Sequence, residues 1–97
     1  MSVRFVEVYD CGAGTSRRDY SLRTVFINPH HVVCLREDID TGNLLSEGRL
    51  PSDLDKRQTF TRVSINKGTY GQDIIVVGPV EETYKKLNSD RRQLLKG

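Results

Sequence analysis

The residue types in this chain that could do chemistry are two cysteines and two histidines: Cys11, Cys34, His30 and His31. Thiolates and imidazoles bind zinc, and a cysteine beside a histidine can act as a nucleophile. His30 and His31 are neighbours in a segment that predicts a strand, where successive side chains point to opposite faces, so they cannot readily hold one ion. Because the further ligands, the orienting group and the oxyanion site are missing, we expect a non-enzyme without metal or cofactor. We interpret Cys34 as a buried, apolar-like side chain.

A glycine-containing segment at residues 10–19 invites comparison with phosphate-binding loops. It has neither the Gly-Lys-Ser/Thr ending of a Walker loop nor the third glycine of a dinucleotide-binding turn. We therefore interpret it as a polar hairpin loop. Anion binding through Arg17 and Arg18 is the alternative.

Basic residues concentrate near the end of the chain, where a helix is predicted: Lys85, Lys86, Arg91, Arg92 and Lys96. A charged outer face opposite an apolar stripe is the usual arrangement of a surface helix, so solubility is the simplest interpretation. Contact with nucleic-acid phosphates is the alternative, without the aromatic platform that single-strand binders use. The net charge of +2 is too small to create a strong field over the whole molecule.

The elements that must position these residues are organised around residues 59–87. Alternation over residues 59–66 predicts a half-buried strand, and the glycines at 68 and 71 predict a turn back into a second strand at residues 73–77. That second strand has four consecutive β-branched residues, which is typical of a strand covered on both faces. We expect it to be central in the sheet.

A C-terminal helix should follow Gly78 and Pro79, since proline ends a strand and suits a first helical turn. Val80, Tyr84 and Leu87 are spaced as one apolar stripe that would face the sheet, with Lys85 and Lys86 outward. The stripe continues at Leu94, so we expect the helix to reach about residue 95.

Three further strands are predicted at residues 3–9, 21–27 and 30–37. The first is expected at an edge of the sheet, where it could pair with a second copy and make a homodimer. The second and third are joined by Asn28 and Pro29, a pair that favours turns, so we expect them to form a hairpin.

Residues 38–58 form a polar segment with scattered leucines whose spacing is too irregular for a stable helix. We expect a long flexible loop, since structureless segments of this length are either disordered or functional. As a loop that orders on a partner, it would use Leu44, Leu45, Arg49 and Leu50.

The 97 residues are the size of one domain, with 36% hydrophobic and 29% charged residues. No apolar run is long enough to span a membrane and the N-terminus lacks an apolar signal region, so we expect a cytoplasmic protein. The fold class should be α+β: about five mostly antiparallel strands in a curled sheet or small barrel, with one C-terminal helix.

One resemblance rests on two stretches. Residues 26–29 read Phe-Ile-Asn-Pro and are followed by Val32 and Val33, and residues 76–82 read Val-Val-Gly-Pro-Val-Glu-Glu. A strand that ends in Asn-Pro, an apolar strand, a strand pair and an acidic helix start make the chain resemble the small flagellar FlbD and SwrD-like proteins. The resemblance implies a small, non-enzymatic accessory module that acts through protein contacts.

Taken together, these observations predict a non-catalytic interaction module, regulatory or accessory, whose partner is an unidentified protein. The motivation is that no catalytic constellation is visible, while the polar segment and the strand edges offer a surface. The alternative is a nucleic-acid-binding regulator that uses the basic C-terminal helix.

Overall fold

The computed structural model of the chain describes residues 2–10, 20–51, 53–68 and 70–96, with the backbone alone at residues 67, 70 and 90–96. Its elements are the strands and helices β1 (Val3–Asp10), β2 (Tyr20–Ile27), β3 (Val32–Glu37), α1 (Ile39–Ser46), β4 (Phe60–Lys67), β5 (Tyr70–Val77) and α2 (Val80–Lys96). The strands form one antiparallel sheet in the order β2-β1-β5-β4-β3. The predicted α+β class is confirmed, and within the described residues the sheet is open, with β2 and β3 at its edges.

The predicted hairpin and central strand are confirmed. β4 and β5 pair over their whole length, from Phe60 opposite Val77 to Lys67 opposite Tyr70, and β5 is the third of the five strands. Alternate residues of β5 are covered from opposite sides, because Ile74 and Val76 belong to one apolar cluster while Ile75 and Val77 pack against another. A strand covered in this way has no polar face, which explains its unbroken β-branched run.

Two apolar cores lie on the two faces of the sheet. The α2-side core is formed by Val3, Phe5, Ile27, Val63, Ile74, Val76 and Leu87. The α1-side core is formed by Val8, Leu45, Leu50 and Phe60, with half-buried neighbours that include Tyr20, Leu22, Leu44 and Leu54. The sheet is therefore the middle layer between two helices of unequal length.

The prediction that residues 38–58 lack a helix is wrong, and the described residues form two α-helices where one was predicted. α1 starts at a cap in which the Asp38 carboxylate accepts a hydrogen bond from the backbone N–H of Thr41 at 3.3 Å. It buries Leu45, and Leu50 follows into the same core after the chain turns at Gly48, which has a φ of 73°. The leucines look irregular in sequence because they come from both a helix and the segment that follows it. Whether the segment is flexible stays a prediction.

The strand order shows that the predicted places of β1, β2 and β3 within the sheet are wrong. β1 lies between β2 and β5, so it is not an edge. β2 pairs with β1, and β3 pairs with β4, so β2 and β3 do not form a hairpin. The Asn-Pro pair instead starts a 3₁₀ turn, Pro29–His31, in which the side chain of Asn28 accepts a hydrogen bond from the backbone N–H of His30. This turn carries the chain from one edge strand to the other.

α2 begins and ends where predicted but presents a different stripe to the sheet. Among its residues 80–89, Thr83 and Leu87 are buried, whereas Tyr84 is 61% exposed, so the prediction that Tyr84 faces the core is wrong. The hydroxyl of Thr83 donates to the carbonyl of Pro79 at 3.0 Å and lies 3.3 Å from the hydroxyl of Thr61 on β4. These hydrogen bonds satisfy the hydroxyl of a polar residue that faces the sheet, and the next residue, Tyr84, lies beside β3. Lys85 and Lys86 are exposed, as predicted.

Candidate functional site: a groove beside the edge strand β3

An open groove of about 570 Å³ lies between β3 and α2. Most of its lining is apolar, from Pro29, Val32, Val33, Leu35, Val80, Tyr84 and Leu87, with Cys34, Glu81, Lys85 and Asn88 as its polar members. One wall is an edge strand and the other is a helix. An apolar concavity of this size is the usual form of a binding site.

The exposed apolar residues of the groove come from both walls. The register of β3 against β4 shifts between Val32 and Cys34, which leaves Val33 without a partner on β4 and 65% exposed. Tyr84 stands opposite on α2. Large apolar side chains exposed on two facing elements indicate a binding surface, because a partner that covers them removes apolar area from water.

The backbone of β3 supplies the second feature of the site. In the described part of the chain, β3 pairs with β4 alone, so the N–H and C=O groups on its outer side have no strand partner. Such an edge is a template for another extended segment.

Polar groups of β3 and β4 lie beside Cys34, which also lines the groove. A guanidinium nitrogen of Arg36 is 3.5 Å from the sulfur of Cys34, and Arg36 is in register with Arg62 on β4. A hydrogen bond from Ser64 and then the contact with Arg36 hold the pKa of the Cys34 thiol below its ordinary value. Cys34 is half-buried and hydrogen-bonded, so its interpretation as a buried, apolar-like residue is wrong; it lies beside polar groups of β3 and β4.

The residues predicted for a partner-binding loop lie on the α1 side and not in the groove. Leu45 and Leu50 are buried in the α1-side core, and Leu44 is half-buried against it. Arg49 is exposed, with its guanidinium 3.9 Å from Glu47 and 6.0 Å from the ring centre of Tyr20. Two of these four side chains are thus already covered by the protein itself.

Of the residues predicted to contact anions or nucleic acid, only Lys85 and Lys86 have described side chains. Lys85 lines the groove, while the ammonium of Lys86 is 4.7 Å from the ring centre of Phe5. The side chains of Arg91 and Arg92, and the whole of Arg17 and Arg18, lie outside the described residues. Nucleic-acid binding stays a prediction.

The histidines occupy the 3₁₀ turn before β3, so the argument that strand neighbours point to opposite faces does not apply to them. His30 and His31 are both exposed. The described residues contain no group of three or more histidine, cysteine or carboxylate side chains placed to hold a metal ion. Cys11 lies outside those residues.

Comparison with protein-family models, curated proteins and solved structures found no match to this chain. No helix within the described ranges is long and apolar enough to cross a membrane.

Proposed function

We propose that the protein is a non-catalytic interaction module, regulatory or accessory in role, which binds an extended segment of a partner protein as an added strand beside β3. The observation that carries this proposal is the coincidence of an open strand edge with an apolar groove along it. In this mode of recognition the main chain of the edge provides hydrogen bonds, and the groove receives every second side chain of the added segment.

The groove has the parts that such a segment requires. Leu35 and Val80 are half-buried apolar members of its lining, and Val33 and Tyr84 are exposed on its two walls. A bound segment would remove both of these side chains from water. Aromatic residues at the centre of a contact commonly account for a large share of binding energy, so Tyr84 is the expected anchor.

The other edge of the sheet is less suited to this role. On β2, Arg23 donates a hydrogen bond to the buried carboxylate of Glu7 at 2.9 Å, and its guanidinium lies 4.1 Å from the ring centre of Tyr9. Among the described residues, the concavity beside β2 has Glu7 and Arg23 in its lining and no wall from an α-helix. Phe26 on β2 is 65% exposed, but the helix-lined groove belongs to β3.

The proposal is tested by selecting binders from a randomised peptide library displayed on phage, with the immobilised protein as bait. Selected peptides are then measured against the variants Val33→Asp and Tyr84→Asp. Each variant places a charge in an apolar wall, so we expect a loss of about tenfold or more in affinity. Phe26→Asp is the matched control, because it changes an equally exposed apolar residue on the opposite edge.

Peptides that bind wild type and Phe26→Asp but lose affinity for both groove variants would support the proposal. Failure of the library to enrich any sequence, or binding that is indifferent to Val33→Asp and Tyr84→Asp, would count against it. Circular dichroism of each variant establishes that its fold is retained.

A further inference from the structure

A positive charge without an ion pair among the described residues lies on the face of β3 opposite Leu35. Arg36 is directly opposite Arg62, and like charges on neighbouring strands repel. Arg62 is neutralised by ion pairs with Asp38 at 3.0 Å and with Asp73 on the neighbouring strand β5 at 3.6 Å. Arg36 contacts the sulfur of Cys34, and no carboxylate of the described residues forms an ion pair with it. On this face of β3 the outermost charge is thus a guanidinium, which Asp73 influences electrostatically without forming an ion pair.

The two faces of β3 impose alternating chemistry on any strand added to it. Leu35 lines the groove, whereas its neighbour Arg36 lies on the opposite face with Arg62 and Asp38. Successive side chains of an added strand point to these same two faces in turn. A residue beside Leu35 would enter an apolar groove, and the residue next to it in the segment would stand beside Arg36.

We propose that the segment bound along β3 alternates apolar with acidic residues, with apolar side chains in the groove and a carboxylate paired with Arg36. This inference rests on the proposed function and names the chemical class of its partner. Guanidinium and carboxylate groups form two parallel charge-assisted hydrogen bonds when they meet in one plane. The pair would also give Arg36 the ion-pair partner that Arg62 already has in Asp38 and Asp73.

Charge also separates this partner from a second copy of the chain. Antiparallel pairing of β3 with the β3 of another copy would keep equivalent faces together and bring two Arg36 side chains to the same face. A heterologous acidic segment has no such repulsion. Self-association through β3 is therefore an outcome that contradicts the proposal.

The test uses three blocked peptides of about eight residues, in which valine alternates with glutamate, glutamine or lysine, with proline at each end against self-pairing. Their affinities are measured by fluorescence anisotropy with the full chain and with Arg36→Glu. We expect wild type to bind the glutamate peptide about tenfold more tightly than the lysine peptide, and Arg36→Glu to reverse that order. Arg49→Glu is the control, since it makes the same change of net charge at an exposed arginine on the α1 side.

The outcomes separate this inference from the proposed function. Reversal by Arg36→Glu with the glutamate preference kept in Arg49→Glu supports the acidic, apolar partner. If all three peptides bind equally well and Tyr84→Asp abolishes their binding, the inference is overturned and the proposal of strand addition stands. An equal effect of both arginine variants also overturns it, because net charge alone would then explain the preference. Absence of binding by every peptide, or a dimer in sedimentation that blocks β3, overturns both.

Discussion

Arg62 on β4 contacts Asp38, the residue that precedes α1, with its Nη2 at 3.0 Å and its Nε at 3.2 Å from Oδ1. The other carboxylate oxygen, Oδ2, accepts hydrogen bonds from the backbone N–H and the hydroxyl of Thr41. One buried carboxylate therefore caps the short helix and attaches it to the sheet. It also neutralises the arginine that faces Arg36 across the strand pair.

Replacement of Asp38 should be costly because two functions are lost together. Asp38→Ala removes a helix cap and leaves Arg62 without its shortest charged contact, so we expect a loss of about 2–4 kcal/mol in the free energy of unfolding, measured in urea. Asp40→Ala removes an exposed carboxylate from the first turn of the same helix and should cost less than about 1 kcal/mol. Equal losses from the two variants would contradict the role assigned to Asp38.

Leu45 should behave as a core residue although it lies in a polar stretch of sequence. Leu45→Ala removes a buried side chain from the α1-side core, so we expect a loss of about 2–4 kcal/mol in unfolding free energy. Ile39→Ala is the control in the same helix, because Ile39 is 65% exposed and should change stability by less than about 1 kcal/mol. If Leu45→Ala were as mild as Ile39→Ala, the segment would not be part of the folded core.

The thiol of Cys34 should titrate below its ordinary range, because Ser64 and Arg36 favour the thiolate. A lower pKa means that more thiolate is present near neutral pH, so alkylation by iodoacetamide should reach half its maximal rate at a lower pH in the folded chain than in urea. The measurement uses a Cys11→Ser background. Ser64→Ala and Arg36→Gln should each raise the midpoint, since each removes an interaction that favours the thiolate. Coincident profiles in the folded and unfolded chain would contradict this account.

The unit formed by β4, β5 and α2 could be predicted because its signals are local. Alternation in β4, the continuous β-branched run of β5 and the Gly-Pro stop each reflect a property of a few consecutive residues. The order of the strands depends on pairings between distant segments, and no short pattern records them. β1 was therefore assigned to an edge, although it pairs on both sides.

The helix α1 was missed for an energetic reason. It has eight residues and contains Gly42, so its intrinsic helix propensity is weak. It is held by the Asp38 cap and by the burial of Leu45, and the second of these depends on tertiary structure.

The groove escaped prediction for a related reason. Tyr84 fits an apolar stripe with Val80 and Leu87, but the hydrogen-bonded Thr83 takes the buried position and leaves Tyr84 beside β3. Val33 is exposed because the register of β3 against β4 shifts beside it, and no sequence feature of residues 30–37 predicts that shift. The predicted class of function, protein contacts without catalysis, remains a proposal. The site now proposed for it is the surface of β3 and α2, in place of the α1 segment that was predicted from the sequence.

The most direct test of strand addition is hydrogen exchange of the β3 backbone amides, measured by NMR with and without a saturating peptide selected from the library. Paired edge amides exchange more slowly than open ones, so we expect alternate amides of residues 33–36 to slow by about tenfold or more while the amides of β2 are unchanged. Unaltered exchange along β3, or protection confined to β2 or α1, would contradict the claim that β3 and α2 form the binding site.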